Sequence, residues 1–237
     1  MRLDKFVADA AQLTRSAARG LIAKGRVTVN GQVCRKADCA LKEGDSVCAD
    51  GKPLACEEYV YIMLNKPAGV VSASTDGRDK TVVDLVGGAF PRRQLFPAGR
   101  LDKTSTGFVL LTDDGAFAHD ILAPKRHVPK TYRVVLDTPV TDEMVKAFAA
   151  GVTLADGQTM QPAQLIPDEA DPFAATVVLR QGVYHQIKRM FGVLDAGVNQ
   201  LHRTAIGGLA LDEGLAPGAW RLITPEEKAL IQAGGEG

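Results

Sequence analysis

The chain has 237 residues, 46% of them hydrophobic and 24% charged, and its 28 basic side chains balance 28 acidic ones. That length and composition suit one large or two modest globular domains and exclude collagen-like, low-complexity and charge-driven disordered chains. No apolar run approaches the ~20 residues a membrane-crossing helix needs, and Met1-Arg-Leu-Asp-Lys-Phe6 lacks the apolar core of a secretory signal, which predicts a cytoplasmic protein with no membrane partner.

The zero net charge conceals segregation. Residues 1–48 carry nine Lys/Arg against five Asp/Glu, and residues 180–203 carry Arg180, Lys188, Arg189 and Arg203 against Asp195 alone. Basic patches on a neutral chain are compatible with RNA binding. Cys34, Cys39, Cys48 and Cys56 fit no zinc spacing, and neither do His119, His127, His185 and His202, so no metal is expected. In a reducing compartment such thiols act as small apolar residues.

In chain order, Asp4 is expected to cap a short helix through Phe6, Val7 and Ala10. Thr14 caps a second, with Ala17, Ala18, Leu21 and Ile22 inward and Gly25 just past its end. Val27–Val29, the Asn30-Gly31 turn and Gln32–Cys34 read as a tight hairpin, because Asn-Gly supplies the positive φ of a type I′ turn. Arg15 and Arg19 share a helical face, with Lys24 and Arg26 close behind, a basic strip suited to phosphate oxygens. The Pro- and Gly-containing stretch from Asp50 to Glu58 reads as a linker, which places domains at 1–48 and 59–231 with 49–58 between them.

Beyond the linker, Tyr59–Leu64 is a predicted strand stopped by Asn65-Lys66-Pro67-Ala68-Gly69. Asp102 follows in a Gly-flanked loop just before the apolar strand Phe108–Leu111, with Arg100 two residues back. Asp113-Asp114-Gly115 is read as a turn capping a helix to Leu122, rather than as an acid/base pair. Further strands are expected at Lys130–Leu136, Thr176–Leu179 and Leu201–Leu211, the last kinked at Gly207-Gly208. Helices are expected at Thr141–Ala150, at His185–Leu194 and after the capping box Thr224-Pro-Glu-Glu227. This order predicts an α+β domain with a mixed, largely antiparallel sheet.

Three motifs raise the reading from fold to chemistry. Gly99-Arg-Leu-Asp102 followed by Lys-Thr-Ser-Thr-Gly107, an apolar run and Thr112-Asp-Asp-Gly115 resembles the catalytic motif of the pseudouridine synthases. Pro124-Lys-Arg-His-Val-Pro-Lys-Thr-Tyr132 resembles the second motif, and Gly182-Val-Tyr-His-Gln-Ile-Lys-Arg-Met190 the third. Over residues 1–48, L-D-K-F, L-T-R-S-x-A-x-x-L-I, G-R-V-x-V-N-G and G-D-x-V resemble the S4 RNA-binding domain. Without these matches Asp102 reads as half of a surface Arg–Asp pair, Tyr132 as an ordinary strand tyrosine, and Lys188 and Arg189 as solvent-facing helix residues.

The resemblance, closest to the branch acting on small-subunit (16S) ribosomal RNA, implies isomerisation of a uridine to pseudouridine, of the type acting at position 516. It implies that Asp102 is the catalytic carboxylate, that Tyr132 stacks on the flipped uracil, and that Lys188, where many members have Arg, pairs with Asp102. Arg100 is expected to fill the helical gap left by the extruded base, and Arg189 and Arg203 to contact RNA, Arg203 at phosphate. The S4 module, through Arg15, Arg19, Lys24 and Arg26, positions the RNA by shape and phosphate contacts. The reaction is an internal rearrangement, so no cofactor is expected. The expected partner is ribosomal RNA within a ribosomal particle or assembly intermediate, met by a monomer. Two alternatives remain at this level: a 23S ribosomal RNA substrate, and a non-catalytic S4-type assembly factor.

Overall fold

A computed structural model describes residues 1–42, 44–54, 59–123 and 128–233. Part of the expected linker, Cys56, and Pro124–His127 of the second motif lie outside these residues. The chain divides into two compact units, Met1–Tyr59 with Gly87–Arg93, and Val60–Val86 with Gln94–Gly237.

In the first unit, α1 (Leu3–Ala10) and α2 (Arg15–Ala23) accompany an antiparallel sheet of order β2-β1-β3-β4. Its strands are β1 (Val27–Val29), β2 (Gln32–Val33), β3 (Val47–Ala49) and β4 (Lys52–Leu54). Leu3, Val7, Ala18, Ile22, Val27 and Val47 form the core. Thr14 caps α2 as expected, its Oγ1 accepting from the Ala17 amide at 3.1 Å, but Ala17 itself faces out. Asp4 is not a cap. The helix begins one residue earlier, and the fully buried Asp4 carboxylate is held by Arg2 and Arg19, both at 3.0 Å. Burial pushes its pKa up, but the two guanidinium hydrogen bonds outweigh that and hold it below the usual range. The Asn30-Gly31 turn has φ of 51° and 78°. Asp50-Gly51 makes a second such turn, so Lys52–Leu54, expected as linker, is an edge strand, the position where Pro53 is tolerated.

The second unit is built on a nine-stranded sheet whose main path runs β13-β5-β7-β11-β8-β10-β9. Its strands are β5 (Tyr61–Lys66), β6 (Phe96–Pro97), β7 (Thr106–Thr112), β8 (Lys130–Leu136), β9 (Gln164–Pro167), β10 (Ala174–Leu179), β11 (Val198–Ile206), β12 (Leu209–Ala210) and β13 (Trp220–Leu222). Every strand pairing is antiparallel except β7 with β11, so the sheet is mixed and largely antiparallel, as the element order predicts. Helices α3 (Gly115–Leu122), α4 (Asp142–Ala150), α5 (Gln186–Gly192) and α6 (Pro225–Ala233) complete the unit. Among the described residues one apolar cluster gathers around Val134, Phe148, Val177 and Phe191, and another around Phe108, Phe117, Ile206 and Ile231.

Asp114 caps α3, accepting from Phe117 N at 2.9 Å. Thr141 caps α4, and Thr224 and Glu227 close a reciprocal capping box on α6. Three expectations shift. First, β5 does not stop at Leu64 but runs through Asn65 and Lys66, which pair with Phe108 and Gly107 of β7. Second, α5 begins at Gln186, because His185 takes the left-handed conformation at φ 49°. Third, Gly207-Gly208 is a hairpin turn rather than a kink, since Ala205 and Ile206 pair back with Ala210 and Leu209.

One glycine fixes how the parallel pair meets. Gly107 sits at φ 103°, and a Cβ there would lie 2.3 Å from the Arg203 carbonyl oxygen. Only glycine lets β7 and β11 approach this closely, and the approach carries Arg203 up to the loop that bears Asp102.

Candidate active site

Asp102 is presented by a loop whose neighbours are tethered one by one. The buried Ser72 hydroxyl accepts from the Leu101 amide and donates to the Leu101 carbonyl, both at 3.0 Å. The Lys103 carbonyl accepts from Gly69 N at 2.8 Å, and Ser105 N donates to the Asp102 carbonyl at 3.1 Å. The Asp102 side chain is left about a quarter exposed (25%), enough for a ligand to reach it.

The two ends of that carboxylate meet different groups, an ammonium from α5 and an imidazole from its entry. Lys188 Nζ lies 3.6 Å from Oδ2 and also donates to Thr104 Oγ1 at 3.0 Å. His185 Nε2 lies 3.2 Å from Oδ1. The left-handed backbone at His185 places its ring and the Lys188 ammonium on the same side, facing the loop. Lys188, singled out in the sequence, is therefore at Asp102. In the sequence His185 reads as a helix start, a motif position and a histidine without metal-ligand spacing, and nothing in its spacing marks it as a carboxylate partner.

Lys66 is a second residue that sequence reasoning missed, having been read as a strand stop. It has no exposed surface. Its ammonium donates to the Ser105 carbonyl at 2.6 Å, the Pro67 carbonyl at 3.0 Å and the Lys103 carbonyl at 3.3 Å. Burial pulls its pKa down to about 8, and Arg203 adds to the fall while the nearby Asp102 charge opposes it. Lys130, at the start of β8, is also drawn down to about 8 by burial and by the Arg203 charge.

Arg203 was expected on RNA phosphate, but it is 2% exposed and turned inward. Its Nε donates to the Phe108 carbonyl at 2.7 Å and one terminal nitrogen to the Arg100 carbonyl at 3.4 Å. The other terminal nitrogen is buried without a hydrogen-bond partner among the described residues. The guanidinium carbon sits 6.0 Å from the centre of the Tyr132 ring, and Arg203 and Tyr132 are register partners on β11 and β8. Arg203 thus bridges the tyrosine of one strand and the Asp102 loop of another. Lys66 and Arg203 bring positive charge to the Asp102 loop and Lys130 lies close enough to Arg203 to feel its charge, with no carboxylate ion-paired to any of the three among the described residues.

The remaining expected residues lie elsewhere. Arg100 is exposed at the loop, while Arg189 pairs with Asp156. In the first unit Arg15, Arg19, Lys24 and Arg26 are all exposed, but Arg19 is committed to Asp4, and Arg26 grips Asp50 through Nε at 2.6 Å. Asp113 accepts from Val60 N at 2.7 Å, and Asp114 caps α3, so the rival carboxylate pair serves structure. Among the described residues no three His, Cys, Asp or Glu side chains converge as metal ligands, and no helix is long and apolar enough to cross a membrane.

Comparison with known proteins bears on this geometry. The family model described as RNA pseudouridylate synthase matches residues 60–192, and that of the S4 domain matches residues 1–47. The chain is 41% identical over 233 residues to "Ribosomal small subunit pseudouridine synthase A" of Escherichia coli K12, covering 98% of this chain and all of that protein. It is 42% identical over 228 residues to the protein of the same name in Vibrio vulnificus, covering 96% and 97%. A protein of Bacillus subtilis described as "Uncharacterized RNA pseudouridine synthase YtzG" is 37% identical over 98% of both chains. A solved structure described as "Crystal structure of pseudouridylate synthase" superposes with a TM-score of 0.67 at 37% identity, covering 98% of this chain and 99% of that one.

Proposed function

Because the chain belongs to the RNA pseudouridylate synthase family, we propose that this RNA pseudouridine synthase isomerises a uridine of small-subunit ribosomal RNA with Asp102 as its catalytic carboxylate. The observation that carries the reading is the Asp102 carboxylate lying between His185 at 3.2 Å and Lys188 at 3.6 Å on a loop pinned at each neighbouring residue. Likeness to relatives named for the small subunit, over nearly the whole length of both chains, supports the choice of RNA.

The chemistry sets the demands on these residues. The N1–C1′ bond of uridine breaks, the base turns, C5 bonds to C1′, and the proton lost from C5 is balanced by one gained at N1. Cleavage leaves positive character on the sugar and negative charge on the uracil. Asp102 answers the first, by bonding or by charge. The buried Lys66 and Arg203, with half-buried Lys130, answer the second, because fixed positive charge in a site shielded from water acts on developing negative charge without reorganising. Tyr132, backed by Arg203, is placed to stack on the base and assist at C5. Lys188 holds the carboxylate in place, and Arg100 on the rim fills the gap left by the extruded nucleotide.

The S4 domain, taken as residues 1–48 from the sequence motifs, grips the RNA through Arg15 and Lys24, whose charges no acid claims by a salt bridge among the described residues. The enzyme works as a monomer in the cytoplasm, on RNA in a ribosomal particle or assembly intermediate. Pseudouridine mapping of ribosomal RNA from cells with and without the gene tests the reading. Loss of one site in 16S ribosomal RNA, at the position 516 the motifs imply, is expected. A lost site in 23S ribosomal RNA instead overturns the substrate. Purified Asp102→Asn is expected to bind RNA but to release no tritium from C5-labelled uridine, and near-normal release removes Asp102 from its role.

A further inference from the structure

Tyr184 is the most exposed large apolar side chain among the described residues, at 72%. It does not stand alone. Its ring stacks on that of His185 with centroids 3.8 Å apart and an interplanar angle of 17°. The far side of the histidine reaches Asp102, Nε2 lying 3.2 Å from Oδ1. Two parallel rings therefore form a shelf that begins at the carboxylate and ends in solvent.

The shelf is also held. The Gln186 side chain accepts from the Val183 amide at 3.1 Å and contacts Gln181 Oε1 through its own amide nitrogen at 3.4 Å. Those bonds close the turn from Gln181 to Gln186, and His185 locks it with its left-handed backbone. One face of Tyr184 is covered by His185, and the other is open. A pre-positioned open aromatic face loses little entropy on stacking, and stacking on aromatic rings is how unpaired RNA bases are held. The Tyr184 ring lies one 3.8 Å stacking step beyond the histidine that contacts Asp102, so the group set to meet its open face is the nucleotide next to one held at the carboxylate.

We propose that Tyr184 is the stacking platform for a nucleobase adjacent to the target uridine, making it a specificity-determining residue of the substrate strand. The proposal rests on the RNA reading above. It gives the Tyr184–His185 pair two tasks, with His185 facing the carboxylate and Tyr184 facing the flanking base.

The test is a cycle between protein and RNA. The substrate is a small-subunit ribosomal RNA fragment carrying the proposed target uridine, made intact or with an abasic nucleotide on either side of it. Wild type is expected to lose about 10-fold in kcat/KM when one of the two flanking bases is removed. Tyr184→Ala and Tyr184→Leu should lose about as much on intact RNA and little more on that abasic RNA. Tyr184→Phe should keep the wild-type rate, and melting temperatures should match because the residue is exposed.

Equal further losses on abasic RNA overturn the platform, since Tyr184 then acts only through His185. An unchanged rate for Tyr184→Ala on intact RNA overturns it as well. Failure of the function itself looks different, because the wild type would then form no pseudouridine in the fragment.

Discussion

Lys66 Nζ donates to the Ser105 carbonyl at 2.6 Å, three residues beyond Asp102, from a side chain with no exposed surface. The same ammonium reaches the Lys103 carbonyl, so one buried cation ties the loop on the far side of the carboxylate. Lys66→Met keeps the volume and removes a costly buried charge, yet leaves the loop free to shift. Displacements of about 1 Å can cost roughly 100-fold in rate. We expect kcat in single-turnover assays to fall by about that factor, with RNA binding and melting temperature little changed. A variant that keeps its rate would show that the loop stands without the lysine.

The same burial makes a pH prediction with opposite signs for activity and stability. Lys66 and Lys130 titrate at about 8 in the folded chain, down from 10.5. Below 8 both folded and unfolded states are charged, and the cost of burying the ammonium is fully present. Between 8 and 10.5 the unfolded chain holds more protons, so these groups make folding more favourable as pH rises. The neutral Lys66 amine has one donor fewer for its three carbonyls, and neither neutral amine has charge to offer the uracil. Rate should therefore fall above pH 8 while the contribution of these two lysines to stability does not. Parallel rate and melting profiles from pH 7 to 10 check it, and a flat rate profile would exclude a role for either charge.

How much of this was legible beforehand depends on the range of the forces involved. Caps and turns are local, so Thr14, Asp114, Thr141 and the Thr224–Glu227 box could be read from neighbours a turn away. Asp4 misled because its partner Arg19 is fifteen residues distant and buries it against the pattern of a cap. Lys66 was hidden for a similar reason. A lysine before a proline reads as the end of a strand, and only the pairing of β5 with β7 shows that its ammonium serves the loop after Asp102. Arg203 reads as one more RNA-facing cation until the Gly107 contact draws its strand inward. The motif residues Asp102, Tyr132 and Lys188 were legible as a resemblance, whereas the distances among them are a property of the sheet.

The close approach at Gly107 can be tested without touching any site residue. A methyl group there meets the Arg203 carbonyl at 2.3 Å, and φ of 103° already disfavours any side chain. Gly107→Ala must push β7 from β11, and we expect it to destabilise the second unit by at least ~2 kcal/mol. Gly20 is the control, lying within α2 with nothing within 4 Å of a built Cβ. Gly20→Ala should stabilise by roughly 0.5–1 kcal/mol, the helix propensity difference alone. Urea denaturation measures both, and a neutral Gly107→Ala would mean that the strands separate without penalty.

Arg15 and Arg19 lie one turn apart, yet they should respond differently to loss. Arg19 holds the buried Asp4 carboxylate at 3.0 Å together with Arg2. Removing it leaves that carboxylate with one partner where it has no exposed surface, so Arg19→Ala should lower the melting temperature of the first unit. Asp4 has its pKa held down, so its ionised form contributes stability above the ordinary carboxylate range, and this is lost as pH falls through the folded value. Arg19→Ala should narrow that acid resistance. Arg15 is exposed and makes no salt bridge among the described residues. Arg15→Ala should leave melting unchanged and reduce the slope of log K against log salt by about 0.7–0.9, the share of one phosphate contact. Equal loss of RNA affinity and equal melting for the two variants would mean that the strip acts as one uniform charged face, with no division between an arginine that builds the domain and one that binds.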